Sequence, residues 1–454
     1  MPLTNRNLLQ WLTDYLHNRK QRVVINGQSS SWSNICAGVP QGSVLGPVLF
    51  LIFIDDISYV VNHCHIRLFA DDTSLFIEVD DAAQAAQYIN ADLSSINDWA
   101  NKWLVSFNSS KSVSLLITNK RSMNHHPAVY LAGKQIAEVK KHKHLGVTLT
   151  RDLSWSTHLN DICEKAEKLL ALLKSFKFRL DRNSLELFYT SMIRPTMEYA
   201  DVLWAGATQS DLAKLDRIQL EAARVVTGAT ARCNTSALLN DVNWLTLSER
   251  RRRHRLCLFF KIVNGLSPPY LLNIMPSTVR ARSKYNLRSA DNISSSNARL
   301  RCSSTSFIHN TIGEWNILSL IQRQSDSISS FKAKLKQRDP PSNRLFYIGP
   351  RHANIIMSRL RIGCSSLNSD LCNNLHVIDI QSCRCGHYKE DLSHFLLFCP
   401  LYRDARLKLF NNIDITIDDP FILLNGSNDL SFDANCTLIN AVAQFIVETN
   451  RFSF

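Results

Sequence analysis

The stretch from His65 to Val79, HIRLFADDTSLFIEV, constrains the fold more than any other part of the chain. Ile66, Leu68 and Ala70 alternate with their neighbours before Asp71, and Leu75, Ile77 and Val79 alternate after Asp72. Period-two alternation belongs to strands, whose successive side chains point to opposite faces. Two such runs meeting at Asp71-Asp72 predict a β-hairpin, so the fold is at least partly β. The two acids have an ordinary explanation, because Asp tolerates turn geometry and hydrogen-bonds its own backbone. They also have a chemical one, as a pair of oxygen ligands for a divalent metal. The remainder of the chain must decide between them.

NLLQWLTDYLHNRKQRVVING predicts an amphipathic helix and then a short strand ending at Asn26-Gly27. SSWSNICAGVPQGSVLGP reads as a strand followed by a glycine-rich turn. The longest apolar run, Val44 to Ile54, is too short for a membrane span of about 20 residues and contains Gly46 and Pro47. It is expected to be a buried core helix. Ile89, Leu93, Ile96, Ala100 and Trp103 recur at three- and four-residue steps and predict a further helix, capped by Asp80 or Asp81. SFNSSKSVSLLIT and KKHKHLGVTLT each add a turn and a strand, making Leu8 to Leu149 mixed α/β. From His158 to about Gly265 the pattern is helical. There Arg250, Arg251, Arg252 and Arg253 follow Glu249, as a solvated helix end or a phosphate contact. Pro276 to Pro341 is serine-rich and weakly periodic, with eleven Lys or Arg against four acids, and reads as a basic linker with some short structure.

The chain's 454 residues are enough for two or three domains. A net charge of +13 points to a polyanionic partner, nucleic acid first, with a generically basic surface as the bland alternative. MPLTNRNLLQWL lacks the apolar core and cleavage site of a secretory signal, so the twelve cysteines are expected as free thiols or metal ligands rather than disulfides.

AGVPQGSVLGPVLFLIFIDDI, followed by LFADD, resembles the reverse transcriptases of non-LTR retrotransposons, jockey- and CR1-like elements in particular. The order continues with WANKWLVSFNSSKSVSLLIT, KHLGVTLT, IRPTMEYADVLWAG and LDRIQLEAARVVTG. The resemblance implies an α+β chain. Residues 1–150 would be a partial polymerase palm, 151–275 a helical thumb-like region, 276–345 the basic linker, and 346–454 a C-terminal Cys-His domain. It implies RNA template and DNA primer as partners, a deoxynucleotide substrate in the full-length parent, and no membrane. Asp71 and Asp72 would hold Mg²⁺ or Mn²⁺, whose preference is for carboxylate oxygens. Two such ions can stabilise both the attacking and the leaving oxygen of an in-line displacement. Pro40, Gln41, Gly42 and Ser43 would line the nucleotide pocket. Phe69 would lie near the primer, with Leu145 and Gly146 in a primer-gripping hairpin. Lys111 would be a general acid for the departing pyrophosphate, or else an exposed turn lysine. Asp55 and Asp56 are expected to serve structure, at a helix end.

The family's palm also carries a carboxylate on an earlier strand, in a stretch resembling AFDxV, and no such stretch precedes Ala37. The chain is therefore expected to be an N-terminally truncated form, without fingers and inactive alone. The function expected is that of a fragment of an RNA-directed DNA polymerase. The alternatives are a non-catalytic nucleic-acid-binding remnant and an element-derived interaction protein, in the nucleus or cytoplasm.

CRCGHYKEDLSHFLLFCPLYRDAR resembles the C-terminal Cys-His segment of the same elements. Cys383 and Cys385, then His394 after eight residues, then Cys399 after four, form a plausible zinc set, since Zn²⁺ takes four N or S ligands. Glu390 to Phe398 would be a short helix carrying His394. Buried thiols without metal are the alternative, and His387, Cys364 and Cys372 are substitute ligands. Phe395 or Tyr402 would offer a stacking face for a base, and Arg250 to Arg253 a phosphate-binding face.

Overall fold

The computed structural model describes residues 6–118, 125–282, 290–294, 304–335, 343–413 and 417–452. The chain forms two compact units, Met1–His142 with Thr150–Asp152, and Lys143–Leu149 with Leu153–Phe454.

The first unit is mixed helix and sheet. Its strands are short and pair only in twos among the described residues. Lys20–Gln21 pairs with Ser33–Asn34, and Val24–Ile25 turns through Asn26-Gly27 onto Gln28–Ser29. The expected hairpin is present as His65–Phe69 antiparallel to Asp72–Phe76. Ile66, Leu68 and Leu75 form its half-buried face, against Ile54, Ile57, Ile96, Trp99 and Ala100. The helix Ala82–Trp103 supplies the other wall. Its N-terminus is capped by the Asp81 carboxylate, which accepts the Ala83 amide at 3.1 Å, and it ends at left-handed Leu104. The buried Asp92 carboxylate accepts the amides of Asn62, His63 and Cys64 at 3.0, 3.0 and 2.7 Å. That ties this helix to the loop entering the hairpin.

One expectation fails here. The apolar helix Leu45–Ile54 is not a core helix: it buries only Gly46 and Ile54, while Val48, Leu51 and Ile52 are exposed. Periodicity cannot orient a helix that is apolar all round, and length and apolarity alone do not supply neighbours to cover it. The helix Arg6–Leu16 likewise buries no residue, leaving Leu8, Leu9 and Trp11 open. Among the described residues no helix is long and apolar enough to cross a membrane.

The second unit is mainly helical. Leu159, Ile162, Ala166, Leu170 and Leu173 of Ser156–Ser175 pack on Leu215, Ile218, Ala222 and Val226 of Gln209–Thr227. These positions recur at three to four residues, so each helix offers one stripe to the other. Thr208 and Thr246 cap the helices Gln209–Thr227 and Leu247–Val263, accepting the amides of Asp211 and Glu249. Ile362, Cys364 and Leu375, from the C-terminal part of the chain, share this core. A buried ion network crosses the same contact. Arg182 reaches Glu186 at 3.0 Å and Asp241 at 2.8 Å, and Arg361 reaches Asp241 at 2.6 Å.

The serine-rich basic stretch contains more structure than a linker. Its helices Phe307–Ile317 and Ile328–Lys334 place Ile312, Trp315 and Phe331 on Leu256, Phe259 and Phe260. A few widely spaced anchors suffice, because each aromatic side chain buries a large area. The basic residues at 284, 288, 299, 301, 336 and 338 lie outside the described residues. The C-terminal part closes around Arg351–Ile362 and Phe432–Glu448, with Met357, Leu360, Phe395, Leu438, Val442 and Phe445 in its core.

Candidate functional site

Four side chains separated by up to sixteen residues converge in the C-terminal part. The ligand atoms of Cys383, Cys385, His394 and Cys399 all lie within 4.8 Å of one another. Cys383 and Cys385 flank a tight loop in which the Cys383 amide donates to the His387 carbonyl at 2.9 Å and the Gly386 amide to the Cys383 carbonyl at 3.0 Å. His394 begins a π-helical turn, His394–Phe398, and the Cys399 amide closes it on the His394 carbonyl at 2.7 Å. The wider turn returns the chain so that Cys399 faces the loop cysteines, and Pro400 prevents the helix from continuing.

The spacing fits one tetrahedral ion. Cys383 Sγ and Cys399 Sγ are 3.7 Å apart, and Cys385 Sγ and His394 Nε2 are 3.2 Å apart. A tetrahedron with Zn–S bonds of about 2.3 Å has edges of about 3.8 Å. Without metal these donors perturb one another. Burial pushes the Cys383 thiol up to about 12 and raises Cys399, while the His387 amide lowers Cys385. Burial, aided by His387, lowers His394. Such a soft, crowded donor set suits Zn²⁺ and not Mg²⁺.

The loop is held from a distance. Glu390 receives Arg451 in a two-pronged pair at 2.8 and 2.7 Å. Burial pushes the Glu390 carboxyl up, but Arg451, the Asn368 amide and His394 together lower it below its ordinary value. Arg406 donates to the carbonyls of Leu396 and Phe395 at 2.8 and 3.1 Å. Sequence reasoning missed Arg451, which lies far from the Cys-His segment and carries no local signal. The stacking role expected of Phe395 is contradicted. Phe395 is fully buried against Tyr402, Phe445 and Phe452, so its ring has no free face. The partly buried Tyr402 is spent in that cluster. The substitute ligands do not join the set. Cys364 sits in the core of the preceding helices, and His387 stacks on His394 at 4.3 Å between ring centres.

The hairpin of the first unit turns through Ala70 and Asp71, with Ala70 left-handed at φ 51° and Phe69 paired to Asp72. Asp71 therefore stands at the tip and Asp72 one residue down the strand, both exposed. Turn and paired carboxylates are thus one object. Phe69 is 64% exposed beside them. Pro40–Ser43 forms a turn ahead of Leu45–Ile54: the Ser43 hydroxyl donates to the Pro40 carbonyl at 2.7 Å and accepts the Gly46 amide at 3.1 Å. Gln41 and Gly42 are exposed at its apex, and Gly42 has φ 81°. Lys111 is exposed in a turn shaped by Asn108, whose side chain accepts the Ser110 and Lys111 amides at 3.1 and 3.3 Å. Asp55 and Asp56 follow the end of the apolar helix, and Asp56 accepts the Trp99 indole N–H at 2.9 Å.

Leu145 and Gly146 form a left-handed turn, φ 46° and 84°, before the strand Val147–Thr150. Tyr199 supports it: its hydroxyl donates to the Leu145 carbonyl at 2.7 Å. A Cβ on Gly146 would meet the Tyr199 ring at 3.0 Å. Tyr199 was not singled out from the sequence, although it lies within IRPTMEYADVLWAG.

The expected phosphate-binding face at Arg250–Arg253 is absent. Arg250 pairs with Glu198, both side chains 12% exposed. Arg253 takes Glu249 at 2.6 Å, and Arg252 reaches the same carboxylate at 3.4 Å. Arg251 is buried over the Trp204 ring with Asp216 at 3.7 Å. Four consecutive helical positions point to all sides, so a run of arginines cannot present one face. Here Arg250 and Arg251 find acids on neighbouring helices, and Arg252 and Arg253 share Glu249 of their own helix.

Residues 2–149 match the family "Reverse transcriptase (RNA-dependent DNA polymerase)". The chain is 29% identical over 250 residues to the probable RNA-directed DNA polymerase from transposon X-element of Drosophila melanogaster, covering 54% of this chain and 27% of that protein. It is 28% identical to the RNA-directed DNA polymerase from mobile element jockey of the same species, covering 52% of this chain and 27% of that protein. A putative 115 kDa protein in type-1 retrotransposable element R1DM, also of Drosophila melanogaster, aligns with 85% of this chain at 23% identity and 36% of its own length. The chain thus spans about a quarter to a third of the length of these relatives. No solved structure matches it.

Proposed function

We propose that this chain is part of an RNA-directed DNA polymerase, because residues 2–149 match the reverse transcriptase family and the chain is similar to polymerases of non-LTR mobile elements. One observation carries the reading: two adjacent carboxylates stand exposed at the tip of a tight hairpin inside the matched segment. In the full-length parent, Asp71 and Asp72 hold Mg²⁺ or Mn²⁺. The metal, when bound, supplies positive charge against the phosphate oxygens of nucleotidyl transfer. The Pro40–Ser43 turn meets the deoxynucleotide, with the backbone at Gly42 open to close approach. Phe69 lies against the primer terminus. Lys111, on its Asn108-braced turn, gives a proton to the departing pyrophosphate. The turn at Leu145-Gly146, propped by Tyr199, grips the primer. The helices from 156 to 263 act as the thumb, and RNA template and DNA primer are the partners.

The Cys-His cluster holds one Zn²⁺ in this reading. All four ligands come from the protein, which is the arrangement of a structural rather than a catalytic zinc.

A second reading, binding without catalysis, is favoured by a specific observation. Among the described residues, Asp71 and Asp72 have no third Asp, Glu, His or Cys within ligand reach. The test is primer extension on an RNA template with Mg²⁺ or Mn²⁺. The chain by itself binds template and primer but does not extend. Extension above background, abolished by Asp71→Ala, would show that the two carboxylates suffice.

A further inference from the structure

A cavity of about 490 Å³ opens beside the Cys-His cluster, lined by Cys385, His387, Asp391, Ser393, Phe398 and Pro400. That size falls within the usual range for small-molecule and base-sized sites, roughly 300–1,000 Å³. Its one acidic lining residue is already engaged: the Asp391 side chain accepts the His394 amide at 2.9 Å and pairs with Lys389 at 3.1 Å. What remains open is aromatic. Phe398 is 69% exposed although its neighbours Phe395 and Leu396 are fully buried. Tyr388 is 78% exposed, with its ring 4.6 Å from that of His387, which in turn lies parallel on His394. Cations stand in the same segment. Arg384, between the two loop cysteines, and Arg403, after Cys399, are both exposed and make no hydrogen bond or ion pair among the described residues. This contrasts with Arg250–Arg253, which are spent inside the fold.

We infer that this cavity receives an unpaired base of single-stranded nucleic acid, stacked on Phe398 and Tyr388, with Arg384 and Arg403 on the flanking phosphates. The inference rests on the Cys-His metal reading, because the metal would fix both the loop that carries Tyr388, next to the lining residue His387, and the π-helical turn that carries Phe398. An open ring face recognises any base through its π-surface, and free cations complement the phosphates on either side. The base must be unpaired, because the faces of a paired base are already stacked within its duplex.

The test uses the full chain. Zinc content is measured by elemental analysis. Anisotropy titrations follow, with fluorescein-labelled oligo(dT) and an abasic strand of equal length. Stacking on an aromatic ring contributes roughly 5- to 150-fold per base. Phe398→Ala and Tyr388→Ala are expected to weaken oligo(dT) binding within that range, to leave abasic binding unchanged, and to keep zinc at the wild-type level. Phe398→Trp is expected to restore binding, and Arg384→Gln to weaken both strands alike. Phe398→Ala and Tyr388→Ala variants that bind oligo(dT) as tightly as the wild type, or lose both strands equally, would overturn the inference, as would a wild type that binds neither. If Phe398→Ala loses zinc, the exposed Tyr388→Ala variant decides by the same criteria. A wild type without zinc that still shows the base-specific loss would sink the metal reading and leave the stacking site standing.

Discussion

Replacing Arg250 to Arg253 by glutamine separates two accounts of the chain's charge. If the four arginines contacted phosphates, the slope of log affinity against log salt on single strands would flatten by about 0.7 per contact, nearly 3 in all. The structure gives a different result. Arg250→Gln leaves the Glu198 carboxylate, 12% exposed, without its cation. Removing one partner of a buried pair costs about 3–5 kcal/mol, so partial exposure here puts the cost at about 2–4 kcal/mol. Arg253→Gln adds less, because Glu249 is 32% exposed and keeps water. Arg251→Gln removes a buried cation from the Trp204 ring. Against a total stability of about 5–15 kcal/mol, the fourfold variant should be near unfolding. The assay is urea denaturation, where an m of about 1–3 kcal/mol/M turns the Arg250 loss alone into a midpoint shift on the order of 1 M. Glu198→Gln combined with Arg250→Gln should cost less than the sum of the two alone. A folded fourfold variant with unchanged midpoint and a salt slope flatter by nearly 3 would refute this account and restore the arginines as a nucleic-acid face.

Further outcomes follow from other sites. Protein purified without chelator should carry one zinc per chain, and Cys383→Ser with Cys399→Ser should carry none; equal zinc in both would remove the cluster as its site. Gly146→Ala should lower the thermal midpoint, because it puts a Cβ at φ 84° and 3.0 Å from the Tyr199 ring. A Tyr199→Ala background should relieve the steric part while keeping the backbone part, and an unchanged midpoint in either background would contradict the turn geometry. His158 is buried, its Nδ1 accepts the Thr148 amide at 3.2 Å, and burial lowers its pKa below 6.5. The unfolded chain then binds the proton first, so stability should fall as pH drops from 6.5 towards the lower folded value. His158→Gln should flatten that decline in pH-dependent denaturation, and an equal slope in the variant would show that His158 is not its source.

Legibility of the sequence followed the range of the interactions. The hairpin, the Asp81 cap and the stripe of Ala82–Trp103 were readable because alternation and capping act over a few residues. Cys383, Cys385, His394 and Cys399 were readable because their ligand types are few and a short helix sets their spacing. The apolar helix Leu45–Ile54 was misread, since a helix with no polar side does not say what covers it. Arg250–Arg253 were misread for a related reason: the acids of Arg250 and Arg251, Glu198 and Asp216, lie on other helices, and sequence shows charge but not pairing. Arg451 and Tyr199 were overlooked because each supports a site from outside the motif it serves. The Cys-His segment is not self-sufficient, because its loop leans on Arg451 and its helical turn on Phe445 and Phe452.

The central claim is that the Asp71-Asp72 hairpin carries the metal of a polymerase. Its most direct test is RNA-templated primer extension by this chain fused behind the preceding portion of the X-element polymerase. With Mg²⁺ present, Asp71→Asn should remove most of the activity and Asp72→Asn somewhat less, with template binding unchanged in both. A fusion that extends primers equally well with Asp71→Asn would show that the hairpin is only a turn.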